Sequence, residues 1–383
     1  MEKTINDYQL HKRKRRIRKW ISFAVAVFFL FVAINGVNIF IENRTKFIGA
    51  IPTSQIFANK NGKSFPINLA QGIDVKTTTF GNNFFVLIGE NFNIYNIDGN
   101  LVRGKRIDYE NAVTVANDKR VLVYEENGKK FSVQNVNKTV FESEVPGTIL
   151  FALLSDDGYT AVLYQKNLNM ATFLNVYDYV GNNIYNDYYE NILVNGTFTE
   201  NSKGLAGVFV KADTETFSTG IVQFDFEKKK KTVNQTTYSV FPYITESFNN
   251  KLFIAGANEA FYYKQNGSLS HKIQYTEKFL DYGFYNGYAV LALYDEKTLK
   301  YYLKILNPVD SEVVTIVLEK KPQKVSAKKT EIYVLTDTAL SVYNYLGDKK
   351  RDITCDVVYD NFHITENALY LVGEKIIEKK SML

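Results

Sequence analysis

The sequence is poor in the residues that carry most protein chemistry. A single cysteine, Cys355, stands among 383 residues; one thiol makes no internal disulfide, so the fold must hold without covalent staples. There are three histidines, His11, His271 and His363, and histidine is the commonest general base and metal ligand. No His-Glu-x-x-His and no clustered Cys/His spacing occurs, which argues against zinc chemistry. Residues 59–64 end like a phosphate loop, but Phe57 stands where its first glycine belongs, and without that glycine the backbone cannot cradle a phosphate. No Gly-x-Ser-x-Gly elbow is present, so an esterase reading has no anchor. The chain also lacks a charge of one sign over most of its length. Its formal net charge is +5, but residues 1–19 alone carry +6, which leaves the remainder near −1. A near-neutral body argues against a nucleic-acid groove, which needs a basic face to displace phosphate counterions.

Aromatic residues are plentiful at 15%, nearly all Tyr and Phe, and proline is scarce at 6. Tyr and Phe favour strands, where a pleated surface packs large side chains well. One long apolar run stands out: residues 20–41, beginning at Trp20, contain no charged residue. A helix of that length spans about 30 Å, the thickness of the bilayer hydrocarbon. The Lys/Arg-rich segment 1–19 lies directly before it, and positive-inside bias then places the N-terminus in the cytoplasm and the rest outside. A cleaved signal peptide is the competing reading; the long basic segment, the long apolar core and the want of an Ala-x-Ala site favour a retained anchor. The expected organisation is a basic cytoplasmic tail (1–19), a transmembrane helix (20–41), a stalk or linker (42–62) and an extracytoplasmic domain (63–383).

That domain repeats. A short apolar run recurs eight times, starting at Phe85, Val121, Ala161, Gly207, Leu252, Ala289, Ile332 and Leu369, with spacings of 36 to 46 residues. Each run is too short for a helix. A polar turn rich in Gly, Asn and Asp precedes it, an alternating strand follows, and a second turn such as Asp98-Gly99-Asn100 or Gly347-Asp348 closes the unit. Gly, Asn and Asp suit tight hairpins because they tolerate positive φ. The pattern predicts four-stranded antiparallel blades arranged radially: an all-β, eight-bladed propeller, with seven blades as the alternative if a divergent unit such as 189–238 is miscounted. The last unit ends after its third strand, and residues 63–69 have no blade of their own. Their pairing as the outer strand of the last blade would close the ring and remove two free edges.

Residues 154–164, LSDDGYTAVLY, resemble the Ser-Pro-Asp-Gly turn of WD-repeat and quinoprotein-like propellers, with Asp156 where proline is usual. Together with LNVYDYVGNNIY (174–185) and TGIVQFDF (219–226) they resemble an uncharacterised family of single-span, membrane-anchored propellers of Gram-positive bacteria, a domain of unknown function. The resemblance implies a fold and a location. It brings no activity and no functional residue.

The remaining candidates are few. His11 lies in the basic tail, His271 on an outer strand, and His363 on the innermost strand of the last unit, where it can face a central channel. Asp98-Gly99-Asn100 and Asp156-Asp157-Gly158 hint at calcium loops but lack the acid at the twelfth position. Quinone-dependent propellers dock their blades with repeated Trp, whereas Trp20 is alone here. The basic clusters Lys228 to Lys231, Lys320-Lys321 and Lys349-Lys350-Arg351 fall at expected turns as solvated charge, with an anionic envelope polymer as the sharper reading. The pairs Asp156/Asp157 and Glu125/Glu126 are neighbours along the chain; adjacent strand residues point to opposite faces and make poor acid/base couples. No residue is assigned as catalytic, cofactor-binding or metal-ligating, and no cofactor is expected. The expected role is a non-enzymatic binding or scaffold module of the cell envelope, engaging an envelope protein or polymer and no nucleic acid. A glycan-acting hydrolase or lyase and a single-span signalling receptor are the alternatives.

Overall fold

The computed structural model describes residues 65–69, 74–166, 171–212, 217–238, 240–264 and 267–381. The tail, the apolar span 20–41, the linker 42–62 and His11 lie outside the described residues. Among the described residues there is no helix, and so none long and apolar enough to cross a membrane.

The described chain forms eight four-stranded antiparallel sheets, each a blade. From the first blade to the eighth, the innermost strands are Val75–Phe80, Ala112–Ala116, Thr148–Leu154, Ile192–Phe198, Ile244–Phe248, Lys278–Tyr285, Lys324–Ala327 and Asn361–Ile364. The innermost strand of the first blade adjoins that of the eighth, which completes a ring. Residues 192–238 form a full fourth blade, so the count is eight rather than seven.

Each apolar run falls on the second strand of a blade, such as Val121–Glu125 or Ile332–Leu335, and these strands are buried almost throughout. The cause is geometric: a second strand lies between two neighbouring blades and shows both faces to apolar partners. Outer strands read the opposite way. Leu101–Arg106 and Lys349–Thr354 are mostly exposed and charge-rich, which discourages pairing at a free sheet edge. The cluster Lys349-Lys350-Arg351 therefore lies on a strand, not in a turn, and its charges sit where an edge needs them.

The turn between third and outer strands repeats an Asn/Asp-x-x-Gly pattern. Asp178 Oδ1 accepts the backbone N–H groups of Val180, Gly181 and Asn182 at 2.9, 2.8 and 2.8 Å. Asn96 Oδ1 and Asn344 Oδ1 each accept two such N–H groups in their own loops. The glycine that follows has positive φ, +84° at Gly99, +102° at Gly181 and +92° at Gly347, a conformation glycine enters without steric cost. A one-residue register slip then follows between the third and outer strands, as at Val176/Tyr177 and Val342/Tyr343.

Antiparallel connectivity gives the ring two faces. On the hairpin face lie the turns joining first to second and third to outer strands. On the loop face lie the second-to-third connections and the crossovers between blades. The hairpin face is laced from blade to blade: Asn117 Nδ2 donates to Ser155 O at 2.6 Å, Ser202 Oγ to Asp157 Oδ2 at 2.8 Å, and Asn249 Nδ2 to Asn286 Oδ1 at 3.1 Å.

The eighth blade takes its outer strand from the other end of the domain. Ile67 and Asn68 pair antiparallel with Ile377 and Ile376, and Leu69 N donates to Lys375 O at 2.8 Å. The Phe65 ring lies 5.8, 5.3 and 5.5 Å from those of Phe84, Tyr95 and Tyr370. Phe84 of the first blade stacks on Tyr370 of the eighth at 4.3 Å.

Between the sixth and seventh blades the backbones nearly touch. A Cβ at Gly283 would lie 2.6 Å from Ala327 N and 2.9 Å from Ser326 C, both main chain. Gly283→Ala is therefore expected to destabilise the domain by about 1–3 kcal/mol. Thermal unfolding of the two proteins checks this, and an unchanged midpoint would show that the blades part at no cost.

Candidate functional site

The innermost strands are half-buried where they border the centre of the ring, and their side chains divide it by character. On the second and third blades the innermost strands carry partly buried apolar residues, Val113, Val115, Phe151 and Leu153, packed against the cores between blades. The fifth to eighth blades contribute titratable ones. A bulge in the innermost strand of the sixth blade, between Phe279 and Asp281, resets which side chains point where. Asp281 then reaches the seventh blade: its Oδ1 lies 2.9 Å from Lys324 Nζ, and its Oδ2 accepts the Val325 N–H at 2.6 Å. Tyr282, the next residue, reaches the other way and donates to Glu246 Oε1 of the fifth blade at 3.3 Å.

Glu246 is surrounded by protein yet keeps partial exposure, as a channel wall does. Burial pushes its carboxyl up to about 7, the Tyr282 hydrogen bond opposes the shift, and Asp156 adds to it. His363 stands in a similar position at the other end of this wall. Its Nε2 lies 2.8 Å from Thr77 Oγ1 of the first blade, and its ring is 5.8 Å from that of Phe84. Burial brings its pKa down to about 4, with Lys324 and Lys328 pushing the same way. It is neutral at physiological pH and works as a hydrogen-bonding spacer between blades. The protein around Lys328 lowers it too, against the attraction of Asp118, although its side chain still reaches solvent.

An aromatic path leads from the loop face to Glu246. Phe241 and Tyr243, on the crossover from the fourth to the fifth blade, are both 47% exposed, a large apolar surface for so short a loop. Their rings are 6.2 Å apart. Tyr243 lies 5.5 Å from Phe279, and Phe279 lies 6.5 Å from Tyr282. Asn195 steadies the loop by donating to Tyr243 O at 3.2 Å. The path runs from exposed rings to a deep carboxylate, an arrangement suited to holding a ligand that is partly apolar and carries a donor or a positive group.

The other sequence candidates lie elsewhere, except that the charge of Asp156 reaches Glu246. His271 is on the outer strand Leu269–Gln274, stacked 4.5 Å from Tyr262. Asp156, Asp157 and Gly158 form a hairpin turn in which Gly158 N donates to Ser155 O at 2.9 Å. Among the described residues no three His, Cys, Asp or Glu side chains gather as a metal site requires. Glu246, Tyr282 and Asp281 were missed by motif reading. The signal that would have found them is an acid on an innermost strand, where most neighbours are Thr, Ser or apolar.

The matching family model covers residues 64–382 and is described as a family of unknown function, DUF5711. No curated protein matches the sequence. Among solved structures, the chain is similar to the computationally designed Ika8 protein (11% identity, TM-score 0.59, covering 82% of this chain and 98% of that one). It is similar to Sqt1 of Saccharomyces cerevisiae at 10% identity and a TM-score of 0.59, over 82% of this chain and 98% of the other. It also resembles BamB from Moraxella catarrhalis, with 11% identity and a TM-score of 0.53 over 84% of this chain and 99% of the other. Identities this low speak of the fold alone.

Proposed function

The chain belongs to the DUF5711 family, and from that premise we propose that it is a non-enzymatic, membrane-anchored binding module of the cell envelope. It is held outside the cytoplasm by residues 20–41 and engages an envelope protein or polymer at its loop face. The observation that carries the reading is the path from exposed Phe241 and Tyr243 to Glu246. Val358, on the crossover into the eighth blade, adds a further exposed apolar side chain to the loop face at 57%. The anchor rests on the uncharged run 20–41 behind a +6 segment.

Glu246 and Asp281, the acids of these two innermost strands, do not form a pair of the kind glycan hydrolysis uses. Asp281 and Tyr282 are consecutive strand residues that face opposite blades, so Glu246 meets Tyr282 on one side while Asp281 is tied to Lys324 on the other. Two carboxyl groups flanking one scissile bond need a shared space.

Two measurements test the proposal. Protease added to intact cells is expected to remove the propeller and leave the tail; full protection of the propeller would overturn the location. Crosslinking from native membranes is expected to capture a defined envelope component with the full-length chain and to lose it with Phe241→Ser/Tyr243→Ser. Equal capture by the variant would overturn the loop-face site.

A further inference from the structure

The packing between the fourth and fifth blades is thin at the hairpin face. Their shared core is built from Ala206, Val208, Ile221, Leu252, Ile254 and Phe261, with few others. The second strand of the fourth blade opens with Gly204 and reaches Ala206, whereas the fifth blade places Phe253 against its next neighbour. Gly204 has no room to grow, since a Cβ there would meet Phe224 O at 2.5 Å. Beside it lies a groove of about 470 Å³ floored by Ala206 and Leu252.

Lysine dominates its rim. Lys203, Lys228 and Lys230 come from the fourth blade, Lys251 and Lys264 from the fifth, facing only Glu200, Asp225 and Glu227. The acids are already engaged. Glu227 holds Lys203 at 2.8 Å, Asp225 holds Lys228 at 3.0 Å, and Glu200 accepts the Asn250 N–H at 2.8 Å. Among the described residues Lys230, Lys251 and Lys264 are exposed and reach no carboxylate. Three lysines from two blades thus line one groove without a carboxylate partner among the described residues, Lys251 lying 6.0 Å from the Phe248 ring. The Lys228 to Lys231 run contributes two of the rim lysines, Lys228 and Lys230, and Lys231 instead bonds Asp187 at 3.3 Å.

We infer that this groove binds a phosphodiester-linked polyol polymer, with Lys230, Lys251 and Lys264 each neutralising a phosphate. Lysine serves such anions as a point charge, without the fixed fork that arginine would impose. The groove lies on the hairpin face and does not depend on the loop-face reading above.

The test titrates the full-length chain, in a zwitterionic detergent, with synthetic poly(glycerol phosphate). Lys230→Gln/Lys251→Gln/Lys264→Gln is expected to weaken binding about tenfold, and to flatten the slope of log affinity against log salt by about 2. A control triple of exposed lysines on other blades, away from both the groove and the loop face, Lys119→Gln/Lys138→Gln/Lys350→Gln, is expected to bind within twofold of the parent. Equal losses in both triples, or no binding by the parent, would overturn the site. A groove-dependent response to dihexanoyl-phosphatidylglycerol alone would overturn the polymer and point to a lipid headgroup.

Discussion

Ile67→Asp is expected to lower the thermal unfolding midpoint of the domain by about 10 °C, corresponding to about 4 kcal/mol or more. Ile67 is 1% exposed and its partner Ile377 is fully buried. The substitution removes an aliphatic side chain from a packed site and puts a carboxylate there without a cation. It also loosens the short outer strand that seats Phe65 against Phe84, Tyr95 and Tyr370. Blades are held by their neighbours, so opening one junction leaves the first and eighth blades each with an uncovered face. Leu346→Asp is the control, at a turn tip that is 79% exposed, and should leave the midpoint within about 2 °C. Near-ultraviolet circular dichroism on the full chain reads both. A midpoint for Ile67→Asp equal to that of the control would show that the ring does not depend on its closure.

Glu246→Gln is expected to stabilise the protein at pH 8 by about 2–3 kcal/mol and to leave it nearly unchanged at pH 4.5. The carboxyl titrates near 4.5 when unfolded and at about 7 in the ring, because burial penalises its charge. Its protonated form therefore stabilises the fold fully below pH 4.5, and that contribution is lost as pH rises through 7. His363 acts with the opposite sign. Its pKa falls from 6.5 to about 4 on folding, so the neutral ring stabilises the fold above pH 6.5 and the contribution is lost as pH falls through 4. His363→Gln, which keeps a polar partner for Thr77, should flatten the acid limb alone. Denaturant unfolding from pH 4 to 9 separates the two limbs. Parallel stability curves for parent and Glu246→Gln would sink the assignment of a deep carboxyl whose charge burial penalises.

The architecture was legible because its most regular feature is also its most buried one. A strand clamped between two sheets favours apolar residues on both faces, so VLVY at Val121 or IYVL at Ile332 stays apolar without a break. Turn chemistry was legible for a similarly local reason, since Asn344 and Gly347 lie within one loop. The channel wall was not legible. Glu246 and Tyr282 are 36 residues apart and meet only because consecutive blades pack side by side. The slip between Phe279 and Asp281 reverses which residues face which neighbour, and alternation along the sequence does not reveal such a slip. The lysine-rimmed groove escaped for another reason: it lies between two blades, with residues far apart in the chain on its walls. The run of lysines was visible, and the space beside it was not.

The strand at Ile67–Asn68 has a consequence for synthesis. Its partner around Ile377 is made some three hundred residues later, so an early strand must wait through nearly the whole of translation with its backbone unsatisfied. Every prematurely terminated product keeps two sticky margins instead of none, which makes completeness of the polypeptide readable from outside as the absence of a free margin.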